Sequence, residues 1–350
     1  MTRFAQIAVA LLLLHAGAAY GETTLKVGWC ARTVSSAATP FAIATKLGWF
    51  AKDGIKVDLA PLPGSTDCVK LVATGAIDYS LPSIEPLAIV RPQGVKAKVY
   101  YTAYQGNIYG IAVPADSPIK TEADLRGKNI GVTSMSSAGV LIARAIAATN
   151  GLNPDKDMQI VVAGEGAQTA ALLRSKDVDA LSQFDTQYTL VENAGMKLRR
   201  LENKEISRYP SNGFLALEET LRSHRKEAVA LARGYAMGTI FAMTNPEAAV
   251  RILYEVYPQT KPTGKDEPTA IADDVKTLLA RAVSWDAGRK AGRAWGENSI
   301  SDYAAYVDFM LKWDVIKQKV DAQDLVTNDL IAEINAFDAP AVEAQAKAWK

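Results

Sequence analysis

The stretch Leu47–Ser83, LGWFAKDGIKVDLAPLPGSTDCVKLVATGAIDYSLPS, holds the alternation that decides the fold. It enters on a helical run, FAIATKLGWFAKDG, which Gly54 can close as a C-cap. IKVDLAPL then alternates, with Val57 and Leu59 opposite Lys56 and Asp58, as a strand with one buried face does. STDCVKLVATG sets Cys68, Leu71 and Val72 on one helical stripe and stops at Gly75. AIDYSLPS is extended again, and IEPLAIVRPQG reads as a third helix, with Pro86 tolerated in its first turn. Strand and helix in turn predict α/β layers.

Outward from this stretch, LKVGW precedes it as a strand, and KVYYTAY and IYGIAVPA follow as two more. A second α/β run opens with TEADLRGKNIGVTS, where Thr121 and Asp124 have capping-box spacing, and continues through the helix GVLIARAIAATNG. IVVAG, AQTAALLRSKDV and DALSQF extend it as strand, helix and strand, and MKLRRLENKEI and SNGFLALEE read as extended chain. From about Glu218 the pattern is nearly all helical. The expected organisation is a discontinuous first lobe, 22–110 with 214–350, and a second lobe, 111–213. Ligands of open α/β sheets bind beyond the carboxyl ends of the strands, so a cleft between the lobes is the expected site.

The 39 basic and 38 acidic residues exclude the basic excess on which nucleic-acid binding rests. Residues 1–21 read as a signal peptide: Arg3, the apolar run IAVALLLLHAGAA, then Ala19-Tyr20-Gly21, with cleavage expected before Glu22. The expectation is export to the periplasm as a soluble mature chain. There Cys30 and Cys68 are expected to be bridged, the alternative being two buried thiols. After the leader the single histidine is His224, and no G-x-S-x-G, Walker A or H-E-x-x-H motif occurs. The serine-rich turn GVTSMSSAG, Gly131–Gly139, lacks the lysine of a nucleotide loop. No catalytic residues, metal or cofactor are expected, and the protein is read as no enzyme.

Leu47–Ser83 resembles the opening of the NMT1/THI5-like and sulfonate/taurine-type periplasmic substrate-binding proteins. VPADSPIKTEADLRGKNIGV and LLRSKDVDALSQFD are similar to later signatures of that family, and the likeness runs roughly from Leu25 to Glu218. It implies a type II periplasmic-binding fold: two α/β lobes hinged about a ligand cleft, with a helical C-terminal region. It further implies a monomer that closes on a small-molecule solute and delivers it to the permease subunits of an ABC importer.

Strand ends and helix starts supply the candidate contacts. Trp29, Arg32 and Ser36 follow the first strand, with Arg32 a possible fork for a carboxylate or sulfonate. Ser80 and Ser83 follow the third, Ser83 also being a natural N-cap, and Glu85 would serve a solute carrying an amine. Ser134, Ser136 and Ser137 offer hydroxyls at a helix start. Asp185 ends DALSQF, Tyr109 and Asn212 lie near the two crossovers, and Tyr104 lies one strand earlier. This set favours a small organic anion, a sulfonate or carboxylate, with a pyrimidine-like neutral heterocycle as the alternative. An exported sensing module for a membrane receptor is the rival function.

Overall fold

The computed structural model describes residues 22–350; the expected signal segment, 1–21, lies outside the described residues. Among those described, no helix is long and apolar enough to cross a membrane. The strands in chain order are β1 (Thr23–Trp29), β2 (Ile55–Pro61), β3 (Tyr79–Ser80), β4 (Ala97–Thr102), β5 (Tyr109–Pro114), β6 (Asn129–Val132), β7 (Gln159–Val162), β8 (Ala180–Phe184), β9 (Leu198–Leu201) and β10 (Gly213–Leu217).

They form two sheets of one design, ordered β2-β1-β3-β10-β4 and β7-β6-β8-β5-β9. In each, parallel strands come from the lobe's own α/β run, and the strand arriving from the other lobe (β10 or β5) is inserted antiparallel. The register Thr23↔Ile55 to Trp29↔Pro61 buries Val57 and Leu59 and leaves Lys56 and Asp58 in solvent, as their alternation requires.

The chain crosses between sheets after β4 and again before β10. The crossings are pinned together: Tyr104 N–H donates to the Asn212 carbonyl at 2.9 Å, and Ser211 N–H returns to the Tyr104 carbonyl at 2.9 Å. β5 already holds Tyr109 and Gly110, and β10 already holds Gly213, so residues 109–110 stand in the second sheet and 213 in the first. Both expected boundaries therefore move toward the N-terminus by a residue or two.

Two local readings are also corrected. The run FAIATKLGWFAKDG splits into helices Thr39–Lys46 and Trp49–Lys52 because Gly48 takes φ +71° between them. Lys204–Ser207 is a helical turn rather than extended chain, since the Asn203 side chain accepts from Ile206 N–H and nucleates it.

The C-terminal helices return to the first lobe. Helix Arg225–Thr244 lies against Thr39–Lys46, with Gly238 so close that a Cβ there would stand 2.2 Å from the Pro40 carbonyl oxygen. Phe41, Tyr235 and Phe214 interlock at this seam, with centroids 4.9 and 5.1 Å apart. Helix Glu267–Lys290 continues over the cleft and meets helix Asp185–Asn193 of the second lobe. Asn193 Nδ2 donates to the Asp273 carbonyl at 3.1 Å, and Lys276 pairs with Glu192 at 3.1 Å.

Candidate functional site

The carboxyl end of β1 brings Trp29, Cys30 and Ala31 to the junction of the lobes, opposite Ile108, Tyr109 and Phe184 of the second lobe. Tyr104 and Asn212 from the pinned crossings, Leu81 and Arg281 complete the lining of a small cavity, about 20 Å³. That is room for little more than a water molecule. Three of the expected contacts, Trp29, Tyr109 and Asn212, meet here, together with Tyr104.

Each lining group is held from behind. Trp29 Nε1 donates to the Thr33 carbonyl at 2.9 Å, and its ring stands edge-on to Phe41 at 6.5 Å. Asn212 Nδ2 donates to the Leu81 carbonyl at 2.8 Å. Tyr109 meets Phe184 edge-on at 5.7 Å. The Cys30–Cys68 disulfide ties the β1 rim to helix Ser65–Ala73.

The charge in the cavity wall was not found by reading the sequence. Arg281 lies on helix Glu267–Lys290 and grips Asp185 with two donors, Nε to Oδ2 at 2.8 Å and Nη2 to Oδ1 at 2.5 Å. Its guanidinium also covers the Tyr104 ring at 3.9 Å. Both side chains are buried, 3% and 6% exposed. Burial works against the charge of Arg281, but Asp185 overcomes it and holds the guanidinium more firmly protonated than usual. The available signal was a charged residue on the buried stripe Asp274, Leu278, Arg281, Trp285.

The other expected contacts have other partners. Arg32 is exposed at the rim, and its backbone N–H donates to Glu165 Oε1 at 3.2 Å. Ser36 Oγ donates to Asp274 at 2.9 Å, and Ser80 Oγ to the Cys68 carbonyl at 3.4 Å. Ser134 Oγ donates to the Pro63 carbonyl at 2.7 Å, and the Ser136 carbonyl accepts Thr66 N–H at 3.1 Å. Ser137 caps its own helix through Gly139 N–H at 3.1 Å. The serine turn thus clamps residues 63–66 across the cleft. His224 lies apart from the cavity, 3.5 Å from Glu227 and exposed.

Ser83 is not the cap expected of it: the helix Glu85–Val90 has Ile84 at its N-cap. Ser83 N–H instead donates to Ser65 Oγ at 3.1 Å, and its side chain lies against the Glu85 carboxyl as a hydrogen-bond partner. Glu85 is 2% exposed. Its Oε1 accepts from the Tyr306 hydroxyl and the Ser83 side chain is its other partner, yet burial outweighs both and raises its pKa above the ordinary carboxyl value. On the second lobe, Gln183 Oε1, Thr186 Oγ1 and Gln187 Oε1 are buried without a hydrogen-bond partner among the described residues, beside Phe184 and Asp185.

Comparison with known proteins agrees with this architecture. The riboflavin-binding protein RibY of Chloroflexus aurantiacus is 20% identical over 298 residues, covering 83% of this chain and 82% of that protein. The alkanesulfonate-binding protein SsuA of Xanthomonas axonopodis pv. citri, bound to MOPS, superposes with a TM-score of 0.66 at 17% identity, over 88% of this chain and 99% of that one. The periplasmic nitrate-binding protein NrtA of Synechocystis PCC 6803 gives 0.62 at 16% identity, over 94% and 99%. The fold is that of the periplasmic binding proteins, two α/β lobes about a cleft. The profile of the NMT1/THI5-like proteins matches residues 35–249, and with lobes, crossings and cleft in agreement the chain belongs to the NMT1/THI5-like family.

Proposed function

We propose that this protein is a periplasmic solute-binding protein that closes on a small, planar and uncharged organic solute and hands it to the permease subunits of an ABC importer. One observation carries the choice of solute. The cavity wall presents the rings of Trp29, Tyr104, Tyr109 and Phe184 and the amide of Asn212, while its one cation, Arg281, is already neutralised by Asp185. A planar neutral solute gains stacking area from those rings and leaves the ion pair intact. An anion must either displace Asp185 or enter without a counter-charge. Of the groups that favoured an anion, the hydroxyls of Ser36, Ser80, Ser134 and Ser137 have protein partners and Arg32 lies in solvent.

A cavity of about 20 Å³ admits no organic solute, so binding requires the lobes to part and close again over it. The riboflavin bound by RibY, a planar heterocycle, fits this reading. The sulfonate MOPS in SsuA marks the competing one, in which parting the lobes frees Arg281 for an acid. Binding without turnover is the activity proposed, since the cleft needs no reacting group for capture and release.

A thermal-shift screen decides between solute classes, because a ligand that binds only the native state raises the melting temperature by mass action. Neutral heterocycles are expected to raise it. A shift from sulfonates and carboxylates alone would overturn the neutral-solute reading in favour of the anion, and a shift from neither would remove the solute-binding role.

A further inference from the structure

A groove of about 420 Å³ lies away from the central cavity, between helices Ser65–Ala73 and Glu85–Val90 of the first lobe. Val69 and Ala73 line it from one helix, Ile89 and Val90 from the other, and Leu141 from helix Ala138–Thr149 of the second lobe. Ala73, Ile89, Val90 and Leu141 are only half-buried, so the groove presents apolar surface to water. Its volume falls within the range of small-molecule sites, about 300–1,000 Å³, whose walls are mostly apolar. It shares no lining residue with the central cavity.

Lys70 is the one charged residue in the lining, and it is exposed. Asp67, one turn back on the same helix, does not line the groove. Among the described residues Lys70 enters no ion pair. An apolar body laid along these walls leaves water, and a negative end beside Lys70 gains a charge-assisted hydrogen bond. A positive end would meet Lys70 without a counter-charge.

The groove is complete only while the lobes are shut, because Leu141 comes from the second. It also adjoins the serine clamp: Thr66 lines it, and Thr66 N–H donates across the cleft to the Ser136 carbonyl at 3.1 Å. The disulfide connects it to the central cavity, since Cys30 lines the cavity and Cys68 precedes Val69 of the groove. A ligand that touches both lobes binds the closed form better than the open one, and so shifts the protein toward closure.

We propose that this groove is a second ligand site, for a dissolved amphipathic acid with an apolar chain and one carboxylate, and that its occupant favours the closed form. Lys70 takes the carboxylate and Leu141 gives the chain its contact with the second lobe. The inference goes beyond the capture of solute in the central cavity and does not depend on which solute enters there.

The test is calorimetric titration of the purified mature protein with octanoate, octan-1-ol and octylammonium. Octanoate is expected to bind about fivefold more tightly than the alcohol, the scale of an exposed ion pair, and octylammonium most weakly. Lys70→Gln should bring octanoate down to the level of the alcohol and leave the alcohol unchanged. Ala73→Trp fills the groove and should abolish binding of both, whereas an acid held in the central cavity would keep its affinity in this variant. Leu141→Ala should weaken octanoate severalfold. Octanoate binding that survives Ala73→Trp, or that Lys70→Gln leaves unchanged, overturns the site. Octanoate binding that Leu141→Ala leaves unchanged overturns the link to closure. Protein that takes up no octanoate overturns the proposal, and if it then pellets with phosphatidylglycerol vesicles or self-associates in light scattering, and Ala73→Trp prevents this, the groove serves a membrane or a second copy instead.

Discussion

Arg281 and Asp185 stand 96 residues apart in the chain and meet through two hydrogen bonds across the cleft, one from each lobe. Taking two such charges out of water costs several kcal/mol each, and only their mutual contact offsets it. Removing one partner therefore costs far more than removing both. Asp185→Asn is expected to lower unfolding stability by about 3–5 kcal/mol, read by urea denaturation. Arg281→Met with Asp185→Leu should recover most of that loss. A double variant as damaged as the sum of its singles would mean the two residues are not coupled.

Gly64 and Ser136 form another contact across the cleft, and it is sterically tight. Gly64 is extended, with φ 171°, so alanine strains nothing in its own backbone. Its Cβ, however, would lie 2.4 Å from the Ser136 carbonyl oxygen, a backbone atom that cannot swing aside like a side chain. Gly64→Ala should hold the lobes apart along this edge while each sheet stays folded. Small-angle scattering should then show a larger radius of gyration, and solute affinity should drop about tenfold, worth roughly 1.4 kcal/mol. Scattering identical to wild type would show that the loop yields locally and that closure does not depend on this contact.

Much of this was written locally in the chain, and the exceptions have a common cause. The alternation at Val57 and Leu59, the stripe of Cys68 and Val72, and the Thr121 capping box depend on near neighbours, and the structure has them as read. Trp29, Tyr109 and Asn212 were legible because strand ends and crossovers must meet at a cleft. Arg281 was not, since nothing within its own helix indicates an acid on the other lobe. The serines misled for the same reason: a hydroxyl at a turn suits a ligand or a carbonyl equally, and Pro63 supplies the carbonyl only in three dimensions. Arg32 looked like an anion fork by type alone, and tertiary placement left it in solvent.

The disulfide joins the β1 rim to a helix that begins at the tight contact just described. Cys30 and Cys68 are 38 residues apart, so the bridge restricts the unfolded chain as well as the cavity wall. By loop-closure entropy such a bridge contributes about 2–4 kcal/mol. The Cys30→Ala, Cys68→Ala double variant should lose unfolding stability by that amount, read by urea denaturation, and bind solute more weakly. Alanine is the right replacement because Cys68 is fully buried and serine would add an unpaired hydroxyl. Two free thiols in unreduced wild-type protein, found by peptide mass mapping, would contradict the bridge directly.

Glu85 gives the stability of the fold a pH dependence whose sign can be worked out. Burial raises its folded pKa above the unfolded value, so the native state keeps this proton after the unfolded state has lost it. The resulting stability is fully present below the ordinary carboxyl pKa, about 4.3, and is lost as pH rises through the folded value. Glu85→Gln carries no such proton, while its carbonyl can still accept from Tyr306. The variant should therefore gain on wild type as pH rises across that window, and the difference in melting temperature should level off above it. Asp274 and Glu122 are also raised by burial, but they are common to both proteins and cancel in the difference. Melting curves of the pair from about pH 4 to about pH 8 measure it. A difference that stays flat would show that Glu85 ionises in the folded protein as readily as in the unfolded chain, and one that turns against the glutamine as pH rises would show that it ionises more readily there.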